Sequence, residues 1–255
     1  MLFFTKSIQM INFKILNLML NFSMKNLLFF VFLIIIPVFA YEVYSPENYN
    51  YEPVGDKLLF VIDFSNSMTA YLNNQTKANQ VKELMTTILP QISPDTKVGL
   101  RVYGHTCNFL AYNACRSSEL IVPLGLNNSV HIASELHRLR PRGMTPITYS
   151  LKQAIKKDLN GQDGIKHIIL LTDGGENCDE SPCEYAISLV KQRRDINIDV
   201  IAFNVDDDDD LAQLKCTADV TGGRFSDVNT KAELFRSMED MILPHKKEVE
   251  AVILK

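Results

Sequence analysis

LLFVIDFSNSM, residues 58–68, is an apolar run that ends in a carboxylate and two hydroxyls. Consecutive apolar residues at 58–62 are typical of a strand buried on both faces, as in a parallel sheet covered by helices. Asp63 ends the run, and Ser65 and Ser67 follow at alternate positions. On this stretch alone, capping of the next helix by Asp63 and Ser65 is favoured over a metal site. The rest of the sequence decides between these two interpretations.

Strand and helix patterns alternate along the chain from residue 56 onward. Further strands are predicted at residues 97–104, 119–124, 167–171, 198–205 and 222–228. Six helices are predicted. The first ends before Pro90, the second begins after Ser129 as its cap, and the third has Pro146 in its first turn. The fourth begins after Ser181 as its cap with Pro182 as its first residue, the fifth follows residue 208, and the sixth covers residues 234–242. This alternation predicts an α/β fold, a three-layer αβα sandwich around a mainly parallel, doubly wound sheet. The connection before residues 119–124 is too short for a crossover helix, so these residues are predicted to form one antiparallel edge strand.

The first forty residues have the pattern of a targeting segment. Lys25 precedes an apolar run over residues 27–40, which ends with the small residues Val38 and Ala40. This pattern predicts a signal peptide that is cleaved after Ala40, with Met24 as the initiator and residues 1–23 as an upstream extension. An uncleaved membrane anchor is the alternative, although the run is shorter than the roughly 20 residues that span a bilayer.

These features divide the chain and predict its location. Residues 1–40 are the extension and signal peptide, 41–55 a linker or arm, 56–244 the folded domain and 245–255 a C-terminal tail. A signal peptide predicts an exported protein, periplasmic or extracellular, and membrane contact only through the N-terminal segment if that segment is retained. Without the three lysines of the first forty residues, the formal net charge falls from -4 to -7. An acidic body argues against nucleic acid as a partner.

The cysteines are Cys107, Cys115, Cys178, Cys183 and Cys216. An exported chain favours disulfides, and an odd number leaves one thiol over. Closeness in sequence favours Cys107–Cys115 and Cys178–Cys183, with Cys216 unpaired, while pairing of Cys115 or Cys183 with Cys216 stays open. Zinc binding is disfavoured because the spacings contain no paired CxxC motifs.

Two further polar segments, RGMTP and TDGGEN, contribute Thr145 and Asp173. In open α/β sheets, ligands bind outside the carboxyl ends of strands, where such segments meet. Together with the polar end of the first strand, they offer two carboxylates and three hydroxyls, the oxygen donors that a hard dication prefers. We therefore predict a divalent-cation site of Asp63, Ser65, Ser67, Thr145 and Asp173. Mg²⁺ is the favoured ion, with Mn²⁺ or Ca²⁺ as alternatives, and a coordination position stays open for water or a partner's carboxylate.

The segments DFSNS, GMTP and LLTDG resemble the von Willebrand factor A domain over residues 56–244. The metal-ion-dependent adhesion site of that family uses a D-x-S-x-S motif, a threonine from a second loop and an aspartate from a third. The resemblance implies that Ser65, Ser67 and Thr145 contact the metal directly, and that Asp63 and Asp173 do so directly or through water. YGH and TDGGENC further resemble a secreted bacterial subgroup.

The function expected from these features is binding. We predict an exported module that binds a protein ligand whose Asp or Glu completes the coordination of the metal. The alternative is an assembly subunit whose metal site is capped by a partner chain. No enzyme is expected, because the sequence shows no His–Asp pairing, HExxH motif or Gly-x-Ser-x-Gly elbow.

Four other features receive conservative interpretations. The aspartate run at 206–210 is predicted to be a solvated loop that leads into a helix N-terminus. His105 is predicted to have a structural role near the site. Arg140 and Arg142 flank the threonine loop and are predicted to be solvated, although they could steer an acidic partner toward the metal.

Overall fold

The computed structural model describes residues 56–106 and 111–245. A central sheet of six strands has the order β5-β4-β1-β6-β7-β8, and β2 and β3 form a small separate ribbon. The strands are β1 Lys57–Asp63, β2 Tyr71–Leu72, β3 Gln75–Thr76, β4 Lys97–Tyr103, β5 Ser118–Gly125, β6 Lys166–Thr172, β7 Ile196–Phe203 and β8 Phe225–Val228. Only the β4–β5 pair of the six-stranded sheet is antiparallel, and β5 lies at its edge. The predicted fold class is confirmed, including the antiparallel edge strand.

Strand β1 lies inside the sheet between β4 and β6, and all seven of its residues are buried. Side chains alternate between the faces of a strand. Leu58, Phe60 and Ile62 accordingly pack into one core cluster, and Leu59 and Val61 into the other. An apolar run without polar interruptions therefore supplies both cores at once.

Helices cover both faces of the sheet. They are α1 Lys77–Ile88, α2 Ala111–Ala114, α3 Ser129–Arg138, α4 Ile147–Gln153, α5 Pro182–Val190, α6 Asp208–Thr221 and α7 Lys231–Ile242. Residues of α1, α3 and α7 pack into one core cluster, and residues of α4, α5 and α6 into the other. A π-helical turn, Ala154–Asp158, continues α4. Within the described residues, no helix is both long and apolar enough to cross a membrane.

Helix starts follow the predicted capping chemistry with two exceptions. Ser181 caps α5 by accepting a hydrogen bond from the Glu184 N–H, as predicted. Ser129 does not cap α3, because Asn128 occupies that position and the Ser129 hydroxyl donates to the Leu89 carbonyl instead. Pro146 precedes the first turn of α4 instead of lying within it.

The predicted pairs Cys107–Cys115 and Cys178–Cys183 are wrong. The disulfides join Cys115 to Cys178 and Cys183 to Cys216, so Cys216 is not the unpaired cysteine and one of the open alternatives is the observed pair. The sheet explains the first bond, since the loops after the parallel strands β4 and β6 leave the same edge. The second bond joins helices α5 and α6, which pack side by side. Cys107 lies outside the described residues.

The same sheet edge receives the carboxyl ends of β1, β4, β6 and β7, because these strands are parallel. The three polar segments singled out from the sequence follow β1, precede α4 and follow β6. The predicted signal peptide, the linker and residues 246–255 lie outside the described residues, so those predictions remain predictions.

Candidate metal site

Asp63 is the last residue of β1, at the carboxyl end of the strand, and its side chain has no solvent exposure. Its Oδ1 accepts a hydrogen bond from the Ser65 N–H at 2.6 Å, and its Oδ2 accepts one from the Thr172 hydroxyl at 2.9 Å. Burial raises the pKa of Asp63 from 3.8 to about 7, and the negative charge of Asp173 adds to this rise. The hydrogen bonds from the Ser65 N–H and the Thr172 hydroxyl therefore do not offset the cost of burying this negative charge.

The hydroxyls of the first loop lead from Asp63 to Asp173. The chain turns in a 3-10 helix, Asn66–Thr69, directly after Ser65. The Ser65 and Ser67 hydroxyl oxygens are 2.8 Å apart, and the Ser67 hydroxyl donates to Asp173 Oδ1 at 2.6 Å. Phe64, between Asp63 and Ser65, packs into the core, and Asn66, between the two serines, is exposed, so the alternate spacing leaves both hydroxyls on one side.

Asp173 is buried and faces a lysine that the sequence analysis missed. Its Oδ2 lies 3.1 Å from Lys77 Nζ, an ion pair whose geometry makes no hydrogen bond. Lys77 Nζ also donates to the Asn204 carbonyl at 3.2 Å. Among the described residues, Lys77 is thus the only cation paired with either of the two buried carboxylates, so the cluster is short of positive charge.

The second loop reaches the first through its backbone. The Asn66 N–H donates to the Gly143 carbonyl at 2.9 Å, and the Arg142 N–H donates to the Phe64 carbonyl at 3.2 Å. Close approach also explains a glycine after β4. Gly104 has a φ of 70°, and a Cβ atom there would lie 2.5 Å from the Ser65 nitrogen.

Thr145 is held by the third loop. Its N–H donates to the Asn177 side-chain oxygen at 2.7 Å, and the Asn177 side-chain nitrogen donates to the Thr145 hydroxyl at 3.3 Å. The same loop caps α4, because Glu176 accepts a hydrogen bond from the Thr148 N–H. Four of the five predicted ligands thus share one chain of hydrogen bonds, and the fifth, Thr145, is hydrogen-bonded to Asn177 of the third loop.

The donor set fits a hard dication. Its members are carboxylate and hydroxyl oxygens, which Mg²⁺, Mn²⁺ and Ca²⁺ prefer. Asp173 Oδ2 is buried without a hydrogen bond, and the raised pKa of Asp63 reflects an unmet demand for positive charge. In residues 56–106 and 111–245, no group of three or more His, Cys, Asp or Glu side chains could hold a metal. A site here therefore depends on its hydroxyls.

His105 and the aspartate run at 206–210 differ in their contacts. His105 Nε2 lies 3.2 Å from Glu119 Oε2. In the aspartate run, Asp207 caps α6 by accepting from the Asp210 N–H, and residues 206–209 are exposed. Asp210 differs from its neighbours, since it accepts a hydrogen bond from the Gly175 N–H and so braces the third loop.

The family model of the von Willebrand factor type A domain matches residues 57–241. The chain belongs to this family. Among curated relatives of this VWA protein, the uncharacterized protein YwmD of Bacillus subtilis (strain 168) is 25% identical over 209 residues, which is 80% of this chain and 93% of YwmD. YwmC of the same organism is 27% identical over 203 residues, 78% of this chain and 86% of YwmC.

Solved structures share the VWA fold at low identity. A von Willebrand factor type A structure from Catenulispora acidiphila has a TM-score of 0.59 and 19% identity, covering 74% of this chain and 42% of that one. Proximal thread matrix protein 1 of the mussel byssus, with a zinc-occupied MIDAS motif, has a TM-score of 0.56 and 21% identity, covering 74% and 45%. An aerotolerance-related membrane protein from Bacteroides fragilis NCTC 9343 has a TM-score of 0.57 and 17% identity, covering 74% and 98%. At these identities the likeness concerns the fold alone.

Proposed function

We propose that this protein is an exported, metal-dependent binding module. A divalent cation binds to Asp63, Ser65, Ser67, Thr145 and Asp173, and an Asp or Glu of a protein partner completes its coordination. The observation that carries this proposal is the pair of buried carboxylates, joined through Ser65 and Ser67 and left short of positive charge. The proposed role is binding without catalysis.

An open coordination position is supported by the shape of the donor set. All five predicted ligands lie at one edge of the sheet, and Ser67 is exposed while Asp63 is fully buried. A cation bound by these groups keeps at least one coordination position on the side that faces solvent. The two carboxylates balance the charge of a dication, and the ammonium of Lys77 leaves one positive charge over. Coulomb attraction therefore favours an added carboxylate.

The proposed ion is Mg²⁺, with Mn²⁺ or Ca²⁺ as alternatives, because every donor is oxygen. Zinc occupies the corresponding motif in the mussel byssus protein, so Zn²⁺ belongs in the comparison of metals. Export is supported by the two disulfides, which form in oxidising compartments, and by the predicted signal peptide.

Water-proton relaxation with Mn²⁺ as the probe tests both parts of the proposal. Mn²⁺ bound to the wild type should keep exchangeable water and enhance relaxation. Acetate should reduce that enhancement by displacing water, whereas the neutral isostere acetamide should not. Asp63→Ala should lose the bound Mn²⁺, and Asp227→Ala, which removes an exposed carboxylate of β8, should keep it. The proposal is wrong if Mn²⁺ binds both variants alike, and the open position is wrong if acetate has no more effect than acetamide.

A further inference from the structure

A cavity of about 450 Å³ lies beside the first loop of the candidate metal site. One wall is formed by Thr69 and by the start of α1, and the opposite wall by the chain that follows α3. Three basic side chains line it: Lys82, His137 and Arg140. None of the described residues that line this cavity is acidic. It is therefore a basic cavity that opens to solvent.

Lys82 is the unusual member of this group, because it is 7% exposed. Its ammonium donates to the Leu139 carbonyl at 2.8 Å and lies 5.6 Å from the centre of the Phe64 ring. Neither Lys82 nor Arg140 pairs with a carboxylate among the residues that the structure describes. Burial lowers the pKa of Lys82, and the charge of Arg140 lowers it further. A buried ammonium without a counterion is costly, and an incoming anion would offset that cost.

The carbonyls at the end of α3 explain only part of this arrangement. Arg140 Nη1 donates to the His137 and Leu139 carbonyls, and Lys82 donates to Leu139. These bonds use one nitrogen of the guanidinium, which has five N–H donors, and one of three donors of the ammonium. The remaining donors of both side chains have no partner among the described residues and can bind a ligand in the cavity.

The cavity adjoins the metal site through the chain itself. Thr69 lies in the same 3-10 turn as Ser67, two residues further on, a backbone distance of about 7 Å at most. Ala78 follows Lys77, whose ammonium contacts Asp173. Because an extended chain advances about 3.3 Å per residue, an acidic side chain near the metal-bound one in a partner's sequence could reach the cavity.

We infer that this cavity is a second subsite, which binds another carboxylate of the same acidic protein segment whose first carboxylate completes the metal. This inference rests on the proposed function and names its partner class: a segment with two acidic residues a few positions apart. A cavity of this volume accommodates an acidic side chain. Arg140, first considered a solvated residue, becomes a residue that determines specificity.

The test is a titration followed by amide NMR, with blocked peptides as probes. One peptide carries Asp and Glu separated by a single glycine, and its control carries Gln in place of Glu. Each is titrated with Mg²⁺ and with EDTA. With Mg²⁺, the two-acid peptide should bind about tenfold more tightly than its control, because its second carboxylate accepts charge-assisted hydrogen bonds in the cavity. Amides of Thr69 and Asn79 should shift only with the two-acid peptide.

Variants separate the subsite from the general charge of the protein. Arg140→Gln should abolish the tenfold preference and leave the affinity for Mg²⁺ unchanged, and Lys82→Met should do the same. Arg138→Gln is the matched control, because this exposed arginine lies on α3 and does not line the cavity. It should keep the preference.

The outcomes distinguish this inference from the proposed function. Equal affinity for the two peptides, with Mg²⁺ still required, overturns the subsite and leaves the metal site intact. Shifts at Thr69 and Asn79 that are the same in Mg²⁺ and EDTA show that the cavity binds anions without the metal, which overturns the inference of one segment bound to both sites. Preference that survives Arg140→Gln and Lys82→Met also overturns the subsite.

Discussion

Asp63 shows how a single side chain connects the fold to the proposed chemistry. It ends a strand buried on both faces, so it cannot turn away from the interior, and Asp173 lies close enough to oppose its ionisation. Thr172 and the Ser65 N–H stabilise the carboxylate, yet the pKa still rises to about 7. A cation would remove this penalty.

The first prediction concerns the pH dependence of the metal-free protein. Between 3.8 and about 7, Asp63 binds a proton in the folded chain but not in the unfolded chain. Acidification from pH 8 to pH 6 should therefore raise the melting temperature relative to that of Asp63→Asn, which has no such proton. Differential scanning calorimetry of both proteins in EDTA checks this. Saturating Mg²⁺ should shrink the difference in pH dependence between the two proteins. Parallel pH profiles of the melting temperature in EDTA would contradict the prediction.

The second prediction concerns Lys77, whose ammonium lies 3.1 Å from Asp173 Oδ2. The Lys77 ammonium repels a dication and competes with it for the carboxylate of Asp173. Lys77→Met should therefore tighten Mg²⁺ binding by roughly tenfold. The same change should lower the stability of the metal-free protein, because two buried carboxylates then lack any cation. Calorimetric titration measures the first effect and thermal unfolding in EDTA the second. Weaker Mg²⁺ binding would show that Lys77 holds the site together instead.

The five candidate ligands could be named from the sequence because each lies in a short motif after a recognisable element. Lys77, Thr172 and Asn177 could not. Lysine at the start of a helix and threonine at the end of a strand are common, and nothing local indicates that either will meet a carboxylate far away in the sequence. Their roles arise only from the way the three loops meet.

At the scale of elements, the strands were predictable because burial on both faces leaves uninterrupted apolar runs, as in β1 and β6. The disulfides were not, because closeness in sequence is a poor guide once parallel strands bring distant loops to one edge. Cys115 and Cys178 are 63 residues apart, and Cys183 and Cys216 are 33 apart.

The third prediction follows from where the two disulfides lie. The Cys115–Cys178 bond anchors the third loop directly after Asn177, which holds Thr145. Replacing both cysteines with serine should weaken Mg²⁺ binding several-fold and lower stability by about 2–4 kcal/mol. The matched double variant of Cys183 and Cys216 should lose comparable stability with little change in Mg²⁺ affinity. Equal Mg²⁺ affinities in the two variants, measured by calorimetric titration, would contradict this role for the loop.

At the scale of the whole molecule, the fold is a scaffold that collects three loops at one sheet edge. Alternation of strands and helices was enough to predict the three layers. The antiparallel edge strand was predicted from the connection before it, which is too short for a crossover helix. The basic cavity beside the site was beyond prediction. Lys82 lies on α1 and Arg140 follows α3, and only packing of these two elements brings them together.

Binding of Mg²⁺ to the folded chain tests the central claim most directly, through thermal unfolding of the wild type and two variants. At a Mg²⁺ concentration of 100 times Kd, binding stabilises the folded state by about 2.7 kcal/mol. For a domain of this size, that should raise the melting temperature by roughly 5–10 °C. Asp63→Ala should show no rise between EDTA and Mg²⁺, and Asp227→Ala should show the full rise. An equal rise in Asp63→Ala and the wild type, or none in either, would contradict the account.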